Sequence, residues 1–260
     1  MLCRKPLRWL CLGEVRSVAN VRVDSKLPPA EVLRFFEDKG LKPAWSWADV
    51  WQQENRVAFT VAGLMEQDVL ADMRDAVDEC LRDGLPFTEF KKKITPILAD
   101  KGWLARKSVV DPVTGAEKDV NLGEPQRLKT IFDTNLRTAN AAGQWSRIER
   151  VKDALPYLKY GLGPSRVHRP EHQVFDGLIL RVDDPFWRTH MPPNGFGCRC
   201  GVRQLTEREA QRYGGPSASP ELPMRSWRNP RTGKELMVPY GCDPGFDHNP
   251  GMDRLGGLEK

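Results

Sequence analysis

Residues 167–200 read VHRPEHQVFDGLILRVDDPFWRTHMPPNGFGCRC, and this stretch decides the fold more than any other part of the chain. It holds three of the four histidines and two of the six cysteines. Imidazole and thiolate groups are the usual ligands of structural zinc sites. The stretch therefore predicts a small module in which histidine and cysteine side chains lie close together.

A structural zinc site built on His172, Cys198 and Cys200 is the sharpest hypothesis for this module. The two cysteines lie in a glycine-flanked turn, so both thiolates can reach one ion while the imidazole comes from the opposite side. A closed tetrahedral site needs four protein ligands. A single Cys-x-Cys pair is a weaker signal than two Cys-x-x-Cys knuckles, so the sequence does not name the fourth.

Three side chains are candidates for the fourth ligand: His168, His190 and Asp176. His168 has the four-residue spacing from His172 of a helical metal pair, and we include it in the predicted ligand set. Pro170 lies between these two histidines, and proline opens a helix more readily than it continues one. A shared helical face for the two imidazoles is therefore not expected.

Simpler interpretations of the same residues stay open. Cys198 and Cys200 are also typical of small buried residues in a tight turn, or of a redox-labile pair. His172 is equally compatible with a core histidine whose ring nitrogens are hydrogen-bonded. Phe186 and Trp187 predict a packing anchor rather than a ligand platform.

Length and composition limit the classes of protein to which the chain can belong. The chain has 260 residues, of which 40% are hydrophobic and 29% charged, and this permits one large domain or two smaller ones. No apolar run reaches the roughly 18–20 residues of a membrane span, so no membrane partner is expected. The net charge of +5 permits contact with DNA without predicting it. The basic run 91–93 sits beside Glu89 and indicates a solvated helix surface.

The first half of the chain has helical periodicity. The pattern predicts four helices. They are a short helix after Pro28-Pro29 stopped by Gly40, a long amphipathic helix over 55–82, a helix with Thr88 as N-cap that closes before Gly102, and a helix from Pro125 towards Pro156. Trp45, Trp47 and Trp51 lie between the first two and predict core or interface packing.

After Pro156 the pattern changes to short strands at 157–160 and 178–182, and from Gly214 onward prolines break every long element. We therefore predict an α+β protein. Its predicted segments are an N-terminal arm (1–27), a helical region that contacts partners (28–124), a compact α+β module (125–213) and an extended Pro/Gly-rich C-terminal tail (214–260).

The motifs of this module resemble those of the phage Mu F-type minor head protein family. The resemblance covers about residues 125–257 and rests on motif order as well as content. The motifs are RPEH (169–172), DG (176–177), DDPFW (183–187), PPNG (192–195), CRC (198–200) and GFDHNPG (245–251).

The resemblance implies a head morphogenesis protein of a tailed phage or prophage. Such a protein would act in procapsid assembly at the portal vertex, with the portal protein and other capsid or scaffold proteins as partners, and in genome packaging or ejection. It would be found in the virion, and in the host cytoplasm during assembly. On this interpretation the histidines and cysteines hold the fold together and catalyse nothing.

A metal-dependent hydrolase such as a nuclease is the alternative. In that case His172 and Asp176 would bind an ion that keeps one position open for water, and Glu171 would act as the base. Cys198 and Cys200 argue against it, because they would complete a closed site.

Overall fold

The structure is a computed structural model that describes residues 28–46, 57–111 and 113–252. These residues contain seven helices: α1 (Ala30–Glu37), α2 (Gln67–Arg82), α3 (Phe87–Asp100), α4 (Pro125–Val151), α5 (Pro170–Gln173), α6 (Phe186–His190) and α7 (Glu207–Arg212). They also contain nine strands: β1 (Gly40–Leu41), β2 (Ala58–Phe59), β3 (Lys107–Val110), β4 (Glu117–Val120), β5 (Tyr157–Gly161), β6 (Ile179–Arg181), β7 (Gly201–Leu205), β8 (Met224–Arg228) and β9 (Glu235–Pro239). The α+β class is thus confirmed. None of the helices described is both long and apolar enough to span a membrane.

Helices α1, α2 and α3 pack with the first half of α4 around one hydrophobic core. The apolar residues of α1 that face this core, Val32, Phe35 and Phe36, are fully buried. Gly143 lets α1 approach α4 closely, since a Cβ at this position would lie 2.4 Å from Val32 Cγ2. The predicted helix after Pro29 is therefore confirmed, and it is held by packing against α4.

Helix α4 belongs to two cores. Leu128, Phe132 and Ala139 are buried in the first core, whereas Trp145 and Ile148 are buried in a second one. The helix has 27 residues, which at 1.5 Å per residue gives a length of about 40 Å. The predicted long helix from Pro125 is confirmed, and the two cores are joined through a rigid element. The segment boundaries predicted from sequence stay a prediction.

The second core is built on a three-stranded antiparallel sheet of order β6-β5-β7. Strand β5 is central, and its residues Leu158 and Tyr160 are fully buried. Trp187 of α6 is also fully buried, and its Nε1 donates to the carbonyl oxygen of Arg181 at 2.9 Å. The strands predicted at 157–160 and 178–182 are therefore confirmed, and so is the anchoring role of Phe186 and Trp187.

The predicted helix over 55–82 is wrong in its first part. Among the residues described, α2 begins only at Gln67, while Ala58–Phe59 form β2, which pairs in parallel with β1. Gly63 has a φ of +77°, which a right-handed helix does not accommodate. The apolar residues of this segment follow helical spacing, but they reach the core from irregular backbone.

Three further predictions concern the cap of α3, the tryptophan cluster and the N-terminal arm. Helix α3 begins at Phe87 with Pro86 as its N-cap, so Thr88 is not the cap. Trp45 is buried, in agreement with core packing. Trp47, Trp51 and the predicted arm 1–27 lie outside the described residues.

The extended C-terminal tail predicted for 214–260 is also wrong for the part that the structure describes. Strands β8 and β9 pair as an antiparallel hairpin, and Val238, Cys242 and Phe246 are buried. Prolines do break long elements here, but a hairpin and a packed coil can form without any long helix or strand. Residues 253–260 lie outside the described residues.

An ion pair ties this hairpin to the helical region. Arg231, in the turn between β8 and β9, donates from Nε to Asp111 Oδ2 at 2.7 Å and from Nη2 to Asp111 Oδ1 at 2.8 Å. Asp111 begins the turn between β3 and β4 and is 1% exposed. The hydrogen bond with the guanidinium holds the pKa of Asp111 well below its usual range, outweighing the effect of burial.

Candidate metal centre

His172 is placed by a single helical turn. Pro170 occupies the first position of α5 and Arg169 caps the helix in an extended conformation, as the proline pattern predicted. The backbone N–H of His172 donates to the carbonyl oxygen of Arg169 at 2.9 Å. The side chain is buried, and its Nδ1 points towards the cysteine turn.

Cys198 and Cys200 lie where the 192–200 loop enters β7. Gly197 has a φ of +71° that lets the chain turn just before Cys198. Cys200 immediately precedes β7, which is fixed by its pairing with β5. Arg137 of α4 donates to the carbonyl oxygen of Cys198 at 3.0 Å and thereby ties the loop to the long helix.

The three predicted side chains converge. His172 Nδ1 lies 3.8 Å from Cys198 Sγ and 3.6 Å from Cys200 Sγ, and all three atoms lie within 4.8 Å of one another. With zinc–sulfur and zinc–nitrogen bonds of about 2.3 and 2.05 Å, the edge of a coordination tetrahedron is about 3.6 Å. The observed separations therefore fit one zinc ion bound by all three groups.

The candidates for a fourth ligand are not part of this group. His168 precedes α5, and its carbonyl oxygen accepts from Gln173 Nε2. Asp176 is exposed and accepts from the backbone N–H of Leu162 at 3.1 Å. The sequence-based choice of His168 is therefore not matched by the geometry, because Pro170 starts the helix after it.

His190 is fully buried but turned away from the cysteines. Its Nδ1 lies 2.7 Å from Thr189 Oγ1 and its Nε2 lies 2.8 Å from the carbonyl oxygen of Tyr240. Burial lowers the pKa of His190 to about 4. It is a neutral core histidine with both ring nitrogens engaged, and no lone pair remains for a metal.

The two thiols differ in acidity because they share a hydrogen bond. The bond from Cys198 lowers the pKa of Cys200, with further contributions from His172 and Tyr160. The same bond, together with burial, raises the pKa of Cys198. The thiolate is the form of cysteine that binds a metal.

Sequence reasoning missed the polar groups that hold the cysteine loop. Tyr160 Oη donates to Asn194 Oδ1 at 3.0 Å, and burial raises the pKa of Tyr160, so the phenol remains a donor. Asn194 is buried, and its backbone carbonyl oxygen accepts from the backbone N–H of Asp243 at 2.8 Å. The only sequence signal was the PPNG motif, which does not reveal its distant partners.

An ion pair between Arg169 and Asp243 crosses the loop at Gly195. Arg169 Nη1 donates to Asp243 Oδ2 at 2.7 Å. A Cβ at Gly195 would lie only 2.2 Å from each of these two atoms. The absence of a side chain at Gly195 is therefore what allows the pair to form.

The GFDHNPG motif at 245–251 covers the same side of the module. Phe246 makes an edge-to-face contact with Phe196, with ring centroids 4.8 Å apart. Asn249 Nδ2 donates to the carbonyl oxygen of Trp187 at 3.0 Å, and Asn249 Oδ1 accepts from the N–H of Gly251. The motif therefore closes the C-terminal segment onto α6.

Comparison with known proteins gives a consistent result. The sequence profile of the family described as "Phage Mu protein F like protein" matches residues 71–203. "Putative capsid assembly protein F" of Escherichia phage Mu is 36% identical over 190 residues, which are 73% of this chain and 43% of that protein. The "Mu-like prophage FluMu F protein" of Haemophilus influenzae is 35% identical over 171 residues, or 65% of this chain and 40% of that protein. The chain thus spans about two fifths of the length of these relatives. No solved structure matches it.

Proposed function

The chain belongs to the Phage Mu protein F like family, and from this membership we propose that it is a minor head protein of a tailed phage or prophage. It acts in procapsid assembly at the portal vertex, and it stays in the head to serve genome packaging or ejection. Its place is the virion, and the host cytoplasm during assembly. The family match over residues 71–203 is the observation that carries this proposal.

The matched span runs from within α2 to within β7. It includes parts of both cores and the whole of α4, which joins them, as well as His172, Cys198 and Cys200. The relative from phage Mu bears the name of a capsid assembly protein. Likeness through both cores supports a shared role of this whole region in head assembly.

We propose that the chain works by binding partners and not by catalysis. The hydrolase alternative needs His172 and Asp176 on one ion, with Glu171 as the base. Asp176 is instead held by the backbone N–H of Leu162 and is not part of the group around His172, and Glu171 is exposed. Because Asp176 does not join His172 at one ion and Glu171 points to no such site, the mechanism is not assembled as it requires, and the geometry favours the assembly role.

The contact with the portal protein is assigned to the helical region, at the hairpin of β3 and β4. Val110 and Val113 at its tip are 55% and 74% exposed. Asp111 between them is fixed by Arg231, so the tip is held in place from the C-terminal side. Two exposed valines on an anchored hairpin form a small apolar contact surface with little entropy to lose on binding.

Co-purification with the portal protein tests this assignment. Removal of residues 1–120 would strip Leu128 and Phe132 of α4 of their core partners, so point substitutions in the whole chain are the better probe. The chain and the portal protein of the same phage would be co-expressed, with the tag on the portal protein. The parent chain should be retained, while Val110→Lys and Val113→Lys should reduce its recovery severalfold.

Val167→Lys is the matched control, because Val167 is 84% exposed but lies outside the helical region. It should be retained like the parent. If the parent chain is not retained, the placement at the portal is wrong. If all three lysine variants are retained equally, the contact does not lie on the hairpin.

A further inference from the structure

The group formed by His172, Cys198 and Cys200 has the features of a built metal site. His172 and Cys198 are buried, Cys200 is half-buried, and the three ligand atoms face one another across gaps of 3.6 and 3.8 Å to Nδ1. His172 comes from α5, and the cysteines come from the loop just before β7, 26 and 28 residues later. One ion would therefore link two segments that no disulfide joins.

The surroundings of the group hold the ligands in place. Arg137 donates to the carbonyl oxygen of Cys198. Tyr160 and Asn194 form a buried hydrogen bond that fixes the loop before the cysteines. Ligand-positioning contacts of this kind reduce the entropy lost when an ion binds.

The two cysteines also line a cleft that provides a route for an ion. The cleft has a volume of about 360 Å³ and runs along α4, where Asn140 and Gln144 form part of its wall. Among the residues that the structure describes, no other histidine, cysteine or carboxylate joins the group as a fourth ligand. The remaining coordination position therefore falls to a molecule that can enter through the cleft.

We propose that His172 Nδ1, Cys198 Sγ and Cys200 Sγ bind one Zn²⁺ ion, with a solvent molecule from the cleft as the fourth ligand. In the bound state both cysteines are thiolates, and any proton that they carry beforehand goes to solvent. Two thiolates and one imidazole match the borderline-soft character of zinc, whereas magnesium and calcium require oxygen ligands. This inference does not depend on the role in head assembly.

Metal analysis of the purified full chain is the first test. The parent protein, purified without chelator, should contain about one zinc per chain by inductively coupled plasma mass spectrometry. Cys198→Ser, Cys200→Ser and His172→Ala should each lose most of this zinc. Less than a tenth of an equivalent in the parent after reconstitution with zinc chloride would overturn the proposal.

Two control variants separate the site from general effects. His168→Ala removes a histidine that the geometry leaves outside the group, and Cys80→Ala removes a buried thiol in the first core. Both should keep the zinc content of the parent. Zinc loss in either control to the extent seen with Cys198→Ser would contradict the assignment of ligands.

Cobalt substitution of the parent protein tests the coordination even if a ligand variant fails to fold. Co²⁺ should give intense thiolate-to-cobalt charge-transfer absorption in the near ultraviolet, together with the visible bands of a tetrahedral site. Added azide should shift the visible bands by replacing the solvent ligand. An unchanged spectrum would refute the solvent ligand, and absence of the charge-transfer absorption would refute the thiolate site. Both measurements use the isolated protein, so they stand apart from portal binding.

Discussion

Gly195→Ala should destabilise the module that carries the cysteines. The added Cβ would lie 2.2 Å from Arg169 Nη1 and 2.2 Å from Asp243 Oδ2, so each atom would have to retreat by about 1.2 Å to reach a tolerable 3.4 Å. Both atoms belong to the ion pair that crosses the loop at 2.7 Å. The substitution therefore either breaks this pair or moves the loop.

The magnitude follows from the two possible responses. The side chains of the pair are 39% and 32% exposed, so the loss of their interaction is screened by solvent and costs at most about 1 kcal/mol. If the loop moves instead, overpacking costs typically about 1–3 kcal/mol. A loss of about 2 kcal/mol in the free energy of unfolding is expected, or roughly 4–8 °C in Tm for a chain of this size.

Thermal and urea unfolding, followed by circular dichroism, would measure the effect. Gly201→Ala is the matched control, since it lies at the same cysteine turn and a Cβ there meets nothing within 4 Å. Its stability should stay within about 0.5 kcal/mol of the parent. In the background of Asp243→Ala, Gly195→Ala should cost less, because half of the clash is gone. If Gly195→Ala is as stable as Gly201→Ala, the account of the loop is wrong.

Three further outcomes are expected. Tyr160→Phe should lower the free energy of unfolding by about 1–3 kcal/mol in urea titrations, because the buried side-chain oxygen Oδ1 of Asn194 loses its hydrogen-bond donor. Parent-like stability would contradict this. Phe132→Ala should cost about 3–5 kcal/mol, since the ring is 3% exposed and stacks on a neighbouring phenyl ring 5.1 Å away, and a cost below 1 kcal/mol would show that the site collapses freely. The pairing with Arg231 lowers the folded-state pKa of Asp111 below its ordinary value of 3.8, so the stabilisation that the ionised Asp111 gives the fold is present above that pH and is lost as the pH falls further. In thermal melts, the gap in Tm between the parent and Asp111→Asn should therefore shrink on acidification below about pH 4. A constant gap would refute this.

The sequence predicted the metal group better than its surroundings. His172, Cys198 and Cys200 share a short stretch and have a recognisable chemistry, so their convergence could be anticipated. The exclusion of His190 could not, because the hydrogen bond of its Nε2 with the carbonyl oxygen of Tyr240 depends on the packing of α6 against the segment after β9. Residue type alone does not say which ring nitrogens are already engaged.

In the fold, the long helix α4 and the strands β5 and β6 were predictable, whereas β2 and the hairpin of β8 and β9 were not. Helix α4 follows from its periodicity and from Pro125, whereas the hairpin of β8 and β9 is disguised by flanking prolines and by exposed residues on most of its positions. The error over 57–66 has a similar origin. Its apolar residues have helical spacing, but the positive φ of Gly63 and the pairing of β2 with β1 depend on tertiary contacts.

The most direct test of the role in head assembly is to count copies of the chain in particles. Quantitative mass spectrometry of purified procapsids and mature virions from the source phage would give the number per particle. The account predicts a few copies in procapsids and a similar number in virions. Absence from both kinds of particle would contradict it.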